Sequence, residues 1–91
     1  MFVVFAYDIP DSRRRLRIAK ALQRVATRVQ RSVFEGYLDR ETLGFTLVRL
    51  RKILDQRRDS VRIYIVCRTC LSQTVILGPG ELTPEPRTIV L

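Results

Sequence analysis

Phe2-Val3-Val4-Phe5-Ala6-Tyr7-Asp8-Ile9-Pro10-Asp11-Ser12-Arg13-Arg14-Arg15 changes character twice within fourteen residues. The apolar run Phe2–Tyr7 predicts a buried strand. Pro10 interrupts it, Asp11 or Ser12 offers an N-cap, and the arginines begin a helix. Asp8 stands where the chain leaves the sheet, a place where folds present side chains to ligands. A carboxylate there, beside three arginines, suggests a metal site facing a phosphate-binding surface. The alternative is that Asp8 closes the strand and Asp11 or Ser12 caps the helix.

Working outward, residues 12–26 repeat at helical spacing. Ile18, Leu22 and Val25 form the stripe, which Leu16, Ala19 and Ala26 widen, and the other face carries Arg13, Arg14, Arg17, Lys20 and Arg24. Residues 39–56 predict a second helix, with Leu43, Leu47, Leu50 and Leu54 as its stripe and Asp39 as its cap. Between the helices, Arg28 to Leu38 is rich in β-formers and reads as one long strand or as two broken near Ser32. Val61, Ile63 and Ile65 alternate with Arg62 and Tyr64 as a further strand. Val75-Ile76-Leu77 predicts a short strand closed by the turn Gly78-Pro79-Gly80, and Thr88-Ile89-Val90-Leu91 is β-prone.

The order β-α-β-β-α-β predicts an α+β fold of the ferredoxin-like split βαβ type. The C-terminal β segments exceed that unit. They are too short to stand alone, so they are expected to extend a sheet, either this one or that of a second copy in a two-fold homodimer. The chain reads as a single domain over 1–91, with 82–91 as a β-prone tail.

The 91 residues carry a formal charge of +8, and 15 of the 17 basic side chains are arginine. Arginine's planar fork of donors matches phosphate oxygens, so this balance points to a polyanion, most simply nucleic acid; an arginine-rich compositional bias is the alternative. The apolar fraction of 46% argues against disorder. The opening apolar run is short, lacks a basic lead-in and is followed by Asp8, so a secretory leader is not expected; nor is a membrane span. A soluble, cytoplasmic protein is predicted. With no histidine in the chain, hydrolysis has to rely on a carboxylate, an activated water or a metal ion.

Cys67-Arg68-Thr69-Cys70 supplies two zinc ligands where four are needed, and no zinc is expected. A thioredoxin-like role requires such a motif to open a helix after a strand. Here it reads as lying between two strands, so ordinary reduced thiols at a strand end are expected, cysteine being often buried. Gly78-Pro79-Gly80 lacks the phosphate-loop pattern and reads as a turn. Tyr7 and Phe34 suit core or interface packing, with base stacking as the alternative.

Several segments together resemble one family. Tyr7-Asp8-Ile9-Pro10-Asp11 with Arg13-Arg14, Arg28-Val29-Gln30-Arg31-Ser32-Val33-Phe34-Glu35-Gly36, and Asp59-Ser60-Val61-Arg62-Ile63-Tyr64 resemble the small CRISPR-associated endonucleases, partners of the spacer integrase. Arg31 occupies a position that is often aromatic in that family. The resemblance implies a ferredoxin-like homodimer in which two copies of Asp8 face each other across the interface and hold Mg²⁺ or Mn²⁺ for phosphodiester hydrolysis in RNA or DNA. It also implies phosphate positioning by Arg15, Arg17, Arg28 and Phe34. Arg13, Arg14 and Arg31 join the expected nucleic-acid surface, and Tyr7, Ser32 and Phe34 the expected interface. A second implied role is a bridge that holds duplex DNA between integrase dimers, with the tail from Leu82 to Leu91 as the docking strand. A non-catalytic DNA-binding scaffold and a toxin-like mRNA interferase on the same fold are the competing readings.

Overall fold

A computed structural model describes residues 1–86. Its elements are β1 (Phe2–Asp8), α1 (Ser12–Gln23), β2 (Thr27–Gln30), β3 (Val33–Tyr37), α2 (Arg40–Ile53), β4 (Ser60–Val66) and α3 (Arg68–Ser72). The strands form one antiparallel sheet in the order β2-β3-β1-β4. This is the ferredoxin-like α+β arrangement read from the sequence. The ambiguous stretch is two strands, β2 and β3, turning at Arg31-Ser32 with a bulge between Arg28 and Gln30.

Local chemistry starts each long helix. Asp11 caps α1 by accepting from the Arg14 backbone N–H at 2.9 Å, and Asp39 caps α2 by accepting from the Thr42 N–H at 2.7 Å. Val3, Phe5 and Tyr7 fall on one face of β1 by the two-residue period of a strand. They form the core with Phe34, Ile18, Leu22, Leu43 and Leu50, so both helices cover the same face of the sheet. Gly36 lets β3 pass under the α1–β2 connection: a Cβ there would stand 3.2 Å from the Val25 carbonyl oxygen and 3.3 Å from the Ala26 Cα.

The opposite face carries Val4, Ala6 and Asp8 of β1. Across the ladder they meet Glu35 and Val33 of β3, and Tyr64, Arg62 and Ser60 of β4. Tyr64 is about half exposed there. Residues of the C-terminal segment reach this face, where the Thr83 N–H donates to the buried Glu35 carboxylate at 2.8 Å.

Three expectations are corrected. Val75–Leu77 is not a strand; the three residues are exposed and find no strand to pair with among the described residues. Cys67-Arg68-Thr69-Cys70 does not lie between strands, because the chain turns directly from β4 into α3. Leu16 is exposed rather than part of the core stripe. Leu82–Pro86 is irregular, and Thr88–Leu91 lies outside the described residues. Among the described residues, no helix is long and apolar enough to cross a membrane.

Candidate functional site

β1 ends at Asp8, the chain turns through Ile9-Pro10, and Asp11 starts α1. The β2–β3 turn comes alongside, because the Tyr7 N–H donates to the Ser32 carbonyl at 3.0 Å. A cleft of about 710 Å³ opens between these parts, lined by Tyr7, Asp8, Ser12, Arg15, Arg28, Arg31 and Ser32, with Leu16 and Ala19 on its helix side. Asp8, at the strand end, is the only carboxylate among the lining residues, and three arginines share the cleft with it.

The arginines are held by different means. Arg15 turns back onto the connection after Asp8, its Nη1 donating to the Ile9 carbonyl at 2.9 Å and to that of Pro10 at 3.3 Å. It thereby fixes the loop that carries the carboxylate. The Arg28 guanidinium lies 5.2 Å from the centre of the Phe34 ring, a cation–π distance. Arg31 is exposed at the hairpin turn beside Ser32.

Of the other expected residues, Arg13, Arg14, Arg17 and Phe34 do not line the cleft. Phe34 is fully buried and Tyr7 nearly so, with their rings 6.3 Å apart in the core. Phe34 therefore does not offer a face to a base. It reaches the cleft through Arg28, and both Tyr7 and Phe34 belong to the core cluster of the chain. Ser32 is half-buried at the hairpin turn.

Arg14 is committed to the fold. Its Nε and Nη2 donate to the Asp59 carboxylate at 2.6 and 3.1 Å, and Asp59 also accepts from the Asp55 N–H at 2.9 Å. The hydrogen bond from Arg14 holds the Asp59 carboxyl below the usual carboxylate range, against a desolvation that pushes the other way. The bidentate pair clamps the start of α1 to the α2–β4 loop, and the Asp59 side chain is 0% exposed. The Nε and Nη2 of Arg14 are thus occupied within the fold.

Arg17 lines a groove of about 770 Å³ between α1 and α2, with Lys20, Arg24, Arg49, Lys52 and the exposed Phe45. Arg13 is exposed on the first turn of α1. The sequence reading missed this inter-helix cluster because half of it belongs to α2, and no spacing within one helix signals which residues a second helix will bring. Asp59 was visible in its motif, but its partner 45 residues away was not.

Among the described residues, no three His, Cys, Asp or Glu side chains come together as a ready-made metal site. Asp8 is a hard oxygen donor open to solvent, which suits an ion that keeps most of its waters.

The family described as CRISPR associated protein Cas2 matches residues 1–74. A CRISPR-associated endoribonuclease Cas2 of Chloroflexus aurantiacus is 42% identical over 86 residues, covering 94% of this chain and 92% of its own. A CRISPR-associated endonuclease Cas2 of Thermus thermophilus is 45% identical over 84 residues, covering 92% and 88%. The crystal structure of Streptococcus pyogenes Cas2 superposes with a TM-score of 0.74 at 34% identity, over 86% of this chain and 100% of that one.

Proposed function

The chain belongs to the CRISPR-associated protein Cas2 family, and on that premise we propose that it is a nuclease of CRISPR adaptation. In this reading it hydrolyses phosphodiester bonds of RNA or DNA at the Asp8 cleft. As a homodimer it also holds duplex DNA for the spacer integrase. The observation that carries the catalytic part is the make-up of the cleft: one exposed carboxylate at a strand end, surrounded by Arg15, Arg28 and Arg31.

Asp8 is the residue that would hold Mg²⁺ or Mn²⁺, the bound ion supplying charge neutralisation and an acidified water. The other groups have separable tasks. Arg15 fixes the Ile9-Pro10 turn and with it the position of the carboxylate. Arg28, seated over Phe34, and Arg31, free at the hairpin, present planar donor forks to phosphate oxygens. Asp8 shares the open face of the sheet with Val4, Ala6 and Tyr64. A second copy packed on that face would add a second Asp8, which is how a site with one carboxylate per chain acquires two.

The test compares wild type and Asp8→Asn on single-stranded RNA and on duplex DNA, with and without a chelator. Cleavage should vanish in the variant and on chelation, while the thermal melt and duplex binding stay unchanged. Unaltered cleavage by purified Asp8→Asn removes the catalytic reading.

One observation favours a scaffold without necessary catalysis: Arg28 and Arg31 come from the β2–β3 hairpin and can meet phosphates without Asp8. On that reading, reconstituted spacer insertion survives Asp8→Asn and fails when the tail from Leu82 onward is removed.

A further inference from the structure

We propose that Cys67 and Cys70 form a thiol–disulfide exchange site for small disulfides, with Cys67 as the attacking thiol and Cys70 as the resolving one. Neither belongs to the Asp8 cleft or to the inter-helix groove.

The structure meets the condition that the sequence reading set for redox chemistry and took to be unmet. β4 ends at Val66, Cys67 follows directly, and Cys70 lies one turn into the helical segment Arg68–Ser72. This turn brings the second cysteine back beside the first: the Cys70 N–H donates to the Cys67 sulfur, 3.4 Å away. Both are reduced and exposed. A buried, inert role is therefore excluded for both, and a capping role explains only Cys67. The Cys70 thiol, exposed one helical turn after Cys67, is left without a structural task.

The pair is also asymmetric. The hydrogen bond from the Cys70 backbone pushes the Cys67 thiol below its ordinary value, while the neighbouring Cys67 pushes the Cys70 thiol up. An attacking thiol benefits from a larger thiolate fraction, and a resolving thiol that stays protonated until the mixed disulfide forms does not compete with it.

In the reaction, the Cys67 thiolate attacks one sulfur of a small disulfide RS–SR. That S–S bond breaks, and the first RS⁻ leaves and takes up the proton that Cys67 released. Cys70 then loses its proton, and its sulfur attacks Cys67 in the mixed disulfide. The second RS⁻ departs and takes up that proton. Two cysteine sulfurs are oxidised, one RS–SR is reduced to two RSH, and the protein is left two hydrogens lighter.

The full-length reduced protein is incubated with glutathione disulfide, quenched by alkylation and weighed intact. Wild type should lose two hydrogens and accumulate no adduct. Cys70→Ser should stop at a single glutathione adduct, and Cys67→Ser should react about tenfold more slowly or less. A wild type that accumulates glutathione adducts without closing the internal disulfide overturns the proposal, as do equal rates in the two single variants. Both positions are exposed, so the serine variants should keep the wild-type melt; alkylation rate against pH in wild type gives a readout independent of any variant. The pH midpoint of Cys67 alkylation should lie below that of the same cysteine in the denatured protein, and a midpoint at or above that control refutes the assignment.

Discussion

Phe34 separates two meanings of an aromatic residue beside the Asp8 cleft, and Phe34→Leu tells them apart. Its ring is fully buried, lies 6.3 Å from Tyr7 and carries Arg28 at 5.2 Å. Leucine keeps most of the apolar burial but loses both ring interactions. The aromatic pair contributes about 0.5–1.5 kcal/mol, and the cation–π contact about 0.5–1 kcal/mol. Phe34→Leu should therefore cost about 1–2.5 kcal/mol in total. At about 4–8 °C per kcal/mol for a domain of this size, the melting temperature should fall by roughly 4–20 °C. Phe34→Ala leaves a cavity and should cost about 3–5 kcal/mol, enough to unfold much of the population. Calorimetry and urea titration give the stabilities, and duplex binding is measured well below the Phe34→Leu midpoint. Because Phe34 reaches the cleft only by seating Arg28, binding by folded Phe34→Leu should weaken no more than it does in Arg28→Ala. If Phe34→Leu melts like wild type yet binds more weakly than Arg28→Ala, the ring contacts nucleic acid directly and the packing argument fails.

The Arg14–Asp59 clamp predicts an acid-dependent loss of stability. The Asp59 carboxyl lies below its unfolded value, so its contribution is complete above about pH 4 and disappears as pH falls through the lower folded value. Asp59→Asn should melt lower than wild type at pH 7, with the gap narrowing on acidification; a gap that stays constant with pH removes the ionic explanation. Arg31→Ala should weaken duplex binding and flatten its salt dependence by about one phosphate contact, whereas Arg14→Ala should lower the melt and leave that slope unchanged. Two glycines should respond in opposite directions. Gly36→Ala pushes a methyl against the Val25–Ala26 backbone and should destabilise. Gly44→Ala, on α2 with open space around it, should stabilise by about 0.5–1 kcal/mol, read as a rise in melting temperature.

What was legible in the sequence follows from how local the cause is. The caps Asp11 and Asp39, the alternation through Val61–Ile65 and the two leucine-type stripes are written within a few residues, and the element order followed from them. Pattern alone left the β2–β3 break open, and only the family resemblance suggested two strands meeting near Ser32, because a bulge and a turn at Arg31-Ser32 depend on pairing with β1, through the Tyr7–Ser32 hydrogen bond. α3 was missed because Arg68–Ser72 spans little more than one turn and has no apolar stripe to show a period. Val75–Leu77 has strand composition, but a strand is a relation between two segments, and its partner is not in the described fold.

The arginines from 13 to 17 show the same limit at the site itself. Adjacent positions on a helix point about 100° apart, so a basic run that looks like one patch in the sequence is distributed around a cylinder. Arg13 stays in solvent, Arg14 turns to Asp59, Arg15 reaches back over the Ile9-Pro10 turn, and Arg17 lies in the groove toward α2. Only Arg15 of the four borders Asp8; Arg28 and Arg31, the cleft's other two cations, come from the β2–β3 hairpin. The cleft gains its charge from elements that converge, whereas the run Arg13-Arg14-Arg15 spends one of its members on holding α1 to the loop before β4. Charge counted along the chain therefore pointed to a polyanion as partner, but it took the helix and hairpin geometry to decide which cations could touch one.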